Sequence, residues 1–233
     1  MDDVEDAALD VAVSHALLRE AADRGAEALR VWTPPAAVSF GRLDLLSAHS
    51  AAAVEAARRH GLAPVRRLAG GRAAAIGPGT VCLGWAHPSP EMTGMQERYE
   101  ALADVIVEAL DRLGIPARLG ELAGEWCPGA WSVIAGSGKV AGLAQRVVRG
   151  GAWAEAVVVV SGAGALARAL DPVQAALGLE WDRRTLAELT GVEPAQVRAA
   201  LIETLQARRQ LVCSPLSERL ETLAAELRAE HVL

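Results

Sequence analysis

A chain of 233 residues, 52% of them hydrophobic, is long enough to bury one large core, and its composition excludes a disordered protein. A formal net charge of −6 argues against a nucleic-acid binder, and no apolar run is long enough to span a bilayer. The opening Met1-Asp2-Asp3-Val4-Glu5-Asp6 is acidic and lacks the basic start of a secretory signal, so a soluble cytoplasmic protein is expected.

Apolar positions at helical spacing over 4–24 (Ala7, Val11, Leu17, Leu18, Ala21) predict a helix that stops at Gly25. Leu29-Arg30-Val31-Trp32 reads as a short strand ended by Pro34-Pro35, and Ala37-Val38-Ser39-Phe40-Gly41 as a second. An Ala-rich helix over 48–60 closes at Gly61. Pro64-Val65-Arg66-Arg67-Leu68 is extended and enters Gly70-Gly71, and a strand over 80–85 leaves the turn Gly77-Pro78-Gly79. A long amphipathic helix covers 91–113. Residues 130–134 and 139–149 read as strands joined by Gly136-Ser137-Gly138, and 152–160 as a buried strand after Gly150-Gly151. From there the pattern is helical, over 163–170, 182–189, 194–208 and 215–230. Strands and helices interleaved without strict alternation predict an α+β fold. Its sheet is mixed and largely antiparallel, flanked by helices, with a helical C-terminal tail.

Cys82, Cys127 and Cys213 are odd in number and widely spaced, and the five histidines form no ligand motif. Neither a disulfide framework nor a metal site is expected. Lys139 is the single lysine among 23 basic side chains. In so arginine-rich a chain, a surviving lysine suggests a place that needs a compact ammonium, although a solvated turn lysine is the plain alternative. Residues 58–72 carry five arginines and no acid, and 139–149 carry three basic groups and no acid. Positive charge beside glycines suits an anionic group on a ligand or a partner surface.

Three segments could carry chemistry. In Arg66-Arg67-Leu68-Ala69-Gly70-Gly71-Arg72-Ala73-Ala74, paired glycines let backbone N–H groups approach a ligand; the alternative is a tight turn with solvated arginines. It is neither a P-loop nor a dinucleotide fingerprint. In Glu125-Trp126-Cys127-Pro128-Gly129, a cysteine stands in a turn-prone loop, and Lys139 follows at a spacing that a hairpin can fold back across. If the two meet, the ammonium can stabilise a thiolate or the oxyanion of a thioester intermediate. The alternative is a small buried hydrophobe, which is the better account of Cys82 and Cys213. Around Lys139, Gly138 and Gly142 permit close approach. Strand alternation puts Lys139, Ala141, Leu143 and Gln145 on one face, a stripe suited to a flexible chain with a polar head. An ordinary hairpin is the alternative.

Taken together, these segments resemble the lipoate–protein ligase and octanoyltransferase family. Residues 66–74 match R-R-x-[SA]-G-G-x-A-V. Gly138-Lys139-Val140-Ala141-Gly142-Leu143-Ala144-Gln145-Arg146 matches G-[KR]-K-[IV]-A-G-x-[AS]-Q-R, and the entry from Arg30 to Arg42 matches L-R-x-[WY]-x-P…[VI]-x-[FIL]-G-R. The resemblance runs from about residue 15 to 162. It implies a fold similar to biotin–protein ligases and attachment of octanoyl or lipoyl groups to a lysine of an acceptor domain. It also implies a substrate site built from Arg67, Gly70, Gly71, Arg72, Gly142, Ala144 and Gln145, with Lys139 reaching the acyl carbonyl. On this basis residues 1–175 are read as the catalytic domain and 176–233 as a helical extension packed on it.

ATP-dependent members usually carry a His after the glycine run and an Asn-Asp pair ahead of the lysine. Here Ile76 takes the His position, and the chain has no Asn. Trp126-Cys127-Pro128-Gly129 looks instead like the Cys-Pro-Gly of the cysteine-dependent octanoyltransferases and amidotransferases. That branch implies Cys127 and Lys139 as catalytic residues and no required cofactor. Its implied donor is an acyl carrier protein or an octanoylated glycine-cleavage H-like protein, and its acceptors are lipoyl domains. The alternatives are an ATP-dependent lipoate–protein ligase, which would need ATP and Mg, and a non-catalytic binder of acylated carrier proteins.

Overall fold

A computed structural model describes residues 4–233, so Met1, Asp2 and Asp3 of the acidic start lie outside the described residues. Asp6 caps the first helix, α1 (Ala7–Arg24), by accepting from the N–H groups of Ala8 and Leu9, and Gly25 ends it at φ 70°. The strands β1 (Ala28–Trp32) and β2 (Ala37–Phe40) follow, then α2 (Arg42–Leu45) and α3 (Ser50–Arg59). The middle of the chain holds β3 (Ala63–Arg66), β4 (Ala74–Ile76), β5 (Thr80–Ser89), α4 (Met95–Arg112), β6 (Ala117–Gly120) and β7 (Ser132–Ala135). The last third holds β8 (Gly138–Val148), β9 (Gly150–Val159), α5 (Ala163–Ala176), α6 (Pro194–Arg208) and α7 (Glu218–Leu227).

Six strands form one antiparallel sheet in the order β1-β5-β9-β8-β7-β6. A second sheet, β3-β2-β4, pairs β2 parallel with β3 and antiparallel with β4. Helices flank both, so the expected α+β fold is the observed one. On one face of the large sheet, α4 and α6 pack over Leu83, Ala154, Ala156 and Val158. On the other face, Leu17 and Leu18 of α1 pack on Trp32, Cys82 and Trp153. A buried ion pair, Arg30–Asp10 at 2.5 Å, fixes α1 to β1, and α7 lies along α1. Residues beyond 176 are not one layer: α6 completes the main core, whereas α7 and the turn after it cover α1.

Four local expectations need correction. The helix expected over 182–189 is only a 3₁₀ turn, Arg183–Thr185. Leu186 then bridges to Lys139 and the Ala187 N–H donates to the Lys139 carbonyl, because the start of β8 offers unpaired backbone that a helix would leave unsatisfied. The helix begun at 163 runs through Pro172 to Ala176 rather than stopping at 170. The short elements α2, β4 and β6 carry too few residues for a periodic signal. Cys213 is exposed rather than buried.

The strand alternation drawn from Lys139 also fails. Val133 pairs with Ala141 but Ile134 pairs with Lys139, so Val140 is an extra residue, a β-bulge. Past the bulge the faces exchange. Lys139 shares its side with Gly142 and Ala144, while Leu143 and Gln145 sit opposite Ala156 and Ala154; Leu143 still lines the same cavity as Lys139, and Gln145 does not.

Candidate active site

Three connections converge at the C-terminal edge of the small sheet and the bulged start of β8. The first is the loop between β3 and β4. Its Arg67 N–H donates to the Phe40 carbonyl and its Gly70 N–H to the Gln145 carbonyl, at 3.2 Å. Gly71 has φ 108°, a conformation side chains rarely adopt. A Cβ there would lie 2.8 Å from Arg67 Nη1 and 2.9 Å from Cys127 Sγ.

The second is the loop 121–131. Its organiser is Glu125, a buried carboxylate that accepts from the N–H groups of Leu122 and Gly129 and from the Ser132 hydroxyl at 2.7 Å. Trp126 is buried beneath the loop, and Cys127 stands at φ 45°, in the left-handed region that costs a non-glycine residue energy. Its sulfur accepts the Arg72 N–H at 3.2 Å.

The third is Lys139 itself, 1% exposed. Its Nζ donates to the carbonyls of Trp126 and Cys127, each at 3.0 Å, and lies 3.4 Å from Glu125 Oε1. It also sits 4.8 Å from the Trp126 ring centre. Burial lowers its pKa from the ordinary 10.5, and the charges of Glu125 and Cys127 oppose that fall. Gly142 leaves room for this side chain, since a Cβ there would stand 3.1 Å from Lys139 Cε.

These groups line a cavity of about 210 Å³. Cys127, Lys139, Arg67, Gly70, Gly71, Gly142 and Ala144 all face it. Tyr99 and Trp131 form a further wall, stacked at 5.0 Å. Two of the expected site residues stand elsewhere. Arg72 contributes its N–H to the sulfur while its guanidinium pairs with buried Asp44. The Gln145 carboxamide accepts from Arg98 and donates to the Met95 carbonyl.

Sequence reasoning did not single out Glu125, Glu155, Tyr99 or Trp131. Glu155 was detectable: it is the one charge in the otherwise apolar run 152–160. It holds Arg67 Nη2 at 3.2 Å and accepts from the Trp153 indole at 2.8 Å. Among the described residues, no group of three or more His, Cys, Asp or Glu side chains is placed to hold a metal ion.

The chain matches the lipoyl protein ligase A/B catalytic domain over residues 6–205, and it belongs to that family. It is 30% identical over 138 residues to the octanoyl-[GcvH]:protein N-octanoyltransferase of Geobacillus kaustophilus, covering 59% of this chain and 49% of that one. To the protein of the same name from Exiguobacterium sibiricum it is 29% identical over 153 residues, covering 66% and 56%. The chain thus spans about half the length of these curated relatives. A solved lipoate-protein ligase A bound with ATP shares the fold, with a TM-score of 0.81 at 20% identity over 99% of this chain and 93% of that one.

Proposed function

We propose that this protein transfers an octanoyl or lipoyl group to a lysine of an acceptor domain through a thioester on Cys127, without nucleotide. The observation that carries this reading is the meeting of Cys127 and the lone lysine in one largely apolar cavity beside the glycine loop. In the first half, the sulfur attacks the acyl carbonyl of the donor. The bond from that carbon to the donor's nitrogen or sulfur breaks, and the thiol proton leaves with the donor. In the second half, an acceptor lysine amine attacks the thioester, the C–S bond breaks, an amide forms and one amine proton returns to sulfur. The thioester conserves activation, so no ATP is needed for the second step.

The names of the curated relatives favour an octanoylated GcvH-type carrier as donor, with an acyl carrier protein as the other candidate. Lipoyl domains are the acceptors and the cytoplasm the compartment, in keeping with the absence, among the described residues, of any helix able to cross a membrane.

The test is incubation with octanoylated carrier, without nucleotide, followed by peptide mass mapping. An octanoyl adduct on Cys127 that hydroxylamine removes, and that is missing in Cys127→Ser, is the expected result. Transfer by Cys127→Ser without ATP would overturn the covalent route. Release of pyrophosphate from ATP and free lipoate would select the ligase reading instead.

A further inference from the structure

Two cations stand near the Cys127 sulfur, and their hydrogens go to different places. The three hydrogens of the Lys139 ammonium face the Trp126 and Cys127 carbonyls and Glu125, all within the loop that presents the cysteine. The Arg67 guanidinium belongs to the glycine loop instead. Its Nη1 and Cys127 Sγ are each under 3 Å from the point where a Gly71 Cβ would be.

Arg67 is held rigidly from behind. Nη2 meets Glu155 at 3.2 Å, Nη1 donates to the Arg72 carbonyl at 3.0 Å, and the Trp153 indole fixes the far oxygen of Glu155. Arg72 therefore gives its carbonyl to the guanidinium and its N–H to the sulfur. Arg67 Nε is buried without a hydrogen-bond partner, and the side chain lines the cavity. A guanidinium fixed at the wall of this cavity can face the oxygen of an acyl group there.

We propose that Arg67, backed by Glu155, is a second cation beside Lys139, one that faces the Cys127 sulfur and the carbonyl of an acyl group carried there. Burial works against the charge of Arg67, yet Glu155 and Cys127 outweigh it, so the guanidinium stays charged. Tyr99 also lines the cavity, where burial keeps its phenol protonated, and the Lys139 ammonium and Glu125 lie within the cysteine loop. The catalytic part of the proposal rests on Cys127 as acyl acceptor; the pairing of Arg67 with the sulfur does not.

The test uses the full chain and its Arg67→Gln, Arg67→Lys, Glu155→Gln and Lys139→Met variants. The first readout is the rate of Cys127 alkylation by iodoacetamide, a neutral reagent, followed by peptide mass at one pH near neutral. Arg67→Gln is expected to slow alkylation about tenfold. Arg67→Lys keeps most of the rate, a rescue that a merely structural role would not give, and Glu155→Gln falls between. Lys139→Met is the comparison for loss of the other cation.

Circular dichroism reports folding, and Glu155→Gln keeps the proposal testable if Arg67→Gln unfolds. Wild-type alkylation in a folded Arg67→Gln, or in Glu155→Gln when Arg67→Gln does not fold, would overturn it. So would a loss of rate confined to Lys139→Met. The second readout is octanoyl adduct formation from the octanoylated carrier. If wild type alkylates with the expected dependence on Arg67 but takes up no octanoyl group, the acyl-transfer reading fails and the pairing stands.

Discussion

Replacing Lys139 by Met tests the arrangement that presents Cys127. Methionine keeps most of the length and apolar character of the lysine stem, so packing against Gly142 changes little. The ammonium is lost, and with it the tie to the Trp126 and Cys127 carbonyls. Glu125 loses its cation at 3% exposure, with the Leu122 and Gly129 N–H groups and the Ser132 hydroxyl as remaining donors. Removing one partner of a buried ion pair costs about 3–5 kcal/mol, and three surviving donors hold this case near the lower end. At roughly 2–4 °C per kcal/mol for a chain of this size, Tm falls by about 6–12 °C. Urea unfolding near neutral pH measures the loss directly. The double variant with Glu125→Gln removes the stranded charge, so it costs at least about 1 kcal/mol less than the two single losses added together. Losses that simply add would refute the buried pair as the organiser of the loop. The sign with pH is also fixed. Burial lowers the folded-state amine below 10.5, so the unfolded chain binds more protons just under that value. Wild-type stability therefore rises with pH through that window relative to Lys139→Met.

Gly71→Ala places a methyl group under 3 Å from both Arg67 Nη1 and Cys127 Sγ, at a φ that alanine resists. It is expected to cost about 1–3 kcal/mol and to lower octanoyl adduct formation more than tenfold, read by melting and by mass. Gln145→Ala is expected to leave adduct formation within about threefold while costing about 1 kcal/mol, because its carboxamide ties Arg98 and Met95. A collapse of the adduct would restore Gln145 to the cavity and count against the bulge at Val140. Buried His15 contacts His231 at 3.1 Å, and His231 in turn meets the Arg66 carbonyl. Burial and the neighbouring His231 push His15 down from 6.5 to about 4. Its contribution is therefore fully present above 6.5 and lost as pH falls toward 4, by about 2 kcal/mol. His15→Gln should flatten the dependence of the urea midpoint across that window, and an unchanged slope would remove His15 as its source.

The sequence alone determined most of the elements, the α+β class and the three segments of the site, because helix and strand periods, glycine stops and turn residues are local properties of a chain. It brought Cys127 and Lys139 together by spacing, since a hairpin of that length returns on itself. Only the tertiary structure decided which way Lys139 points. The extra residue at Val140 is set by the register of β7 against β8, and no alternation pattern within β8 records it. The same holds for 186–189, whose residues suit a helix but are recruited by unpaired backbone at Lys139. Glu125 and Glu155 acquire their roles only when distant strands and loops close around them. The energy of a buried charge depends on what else arrives in the same low-dielectric space.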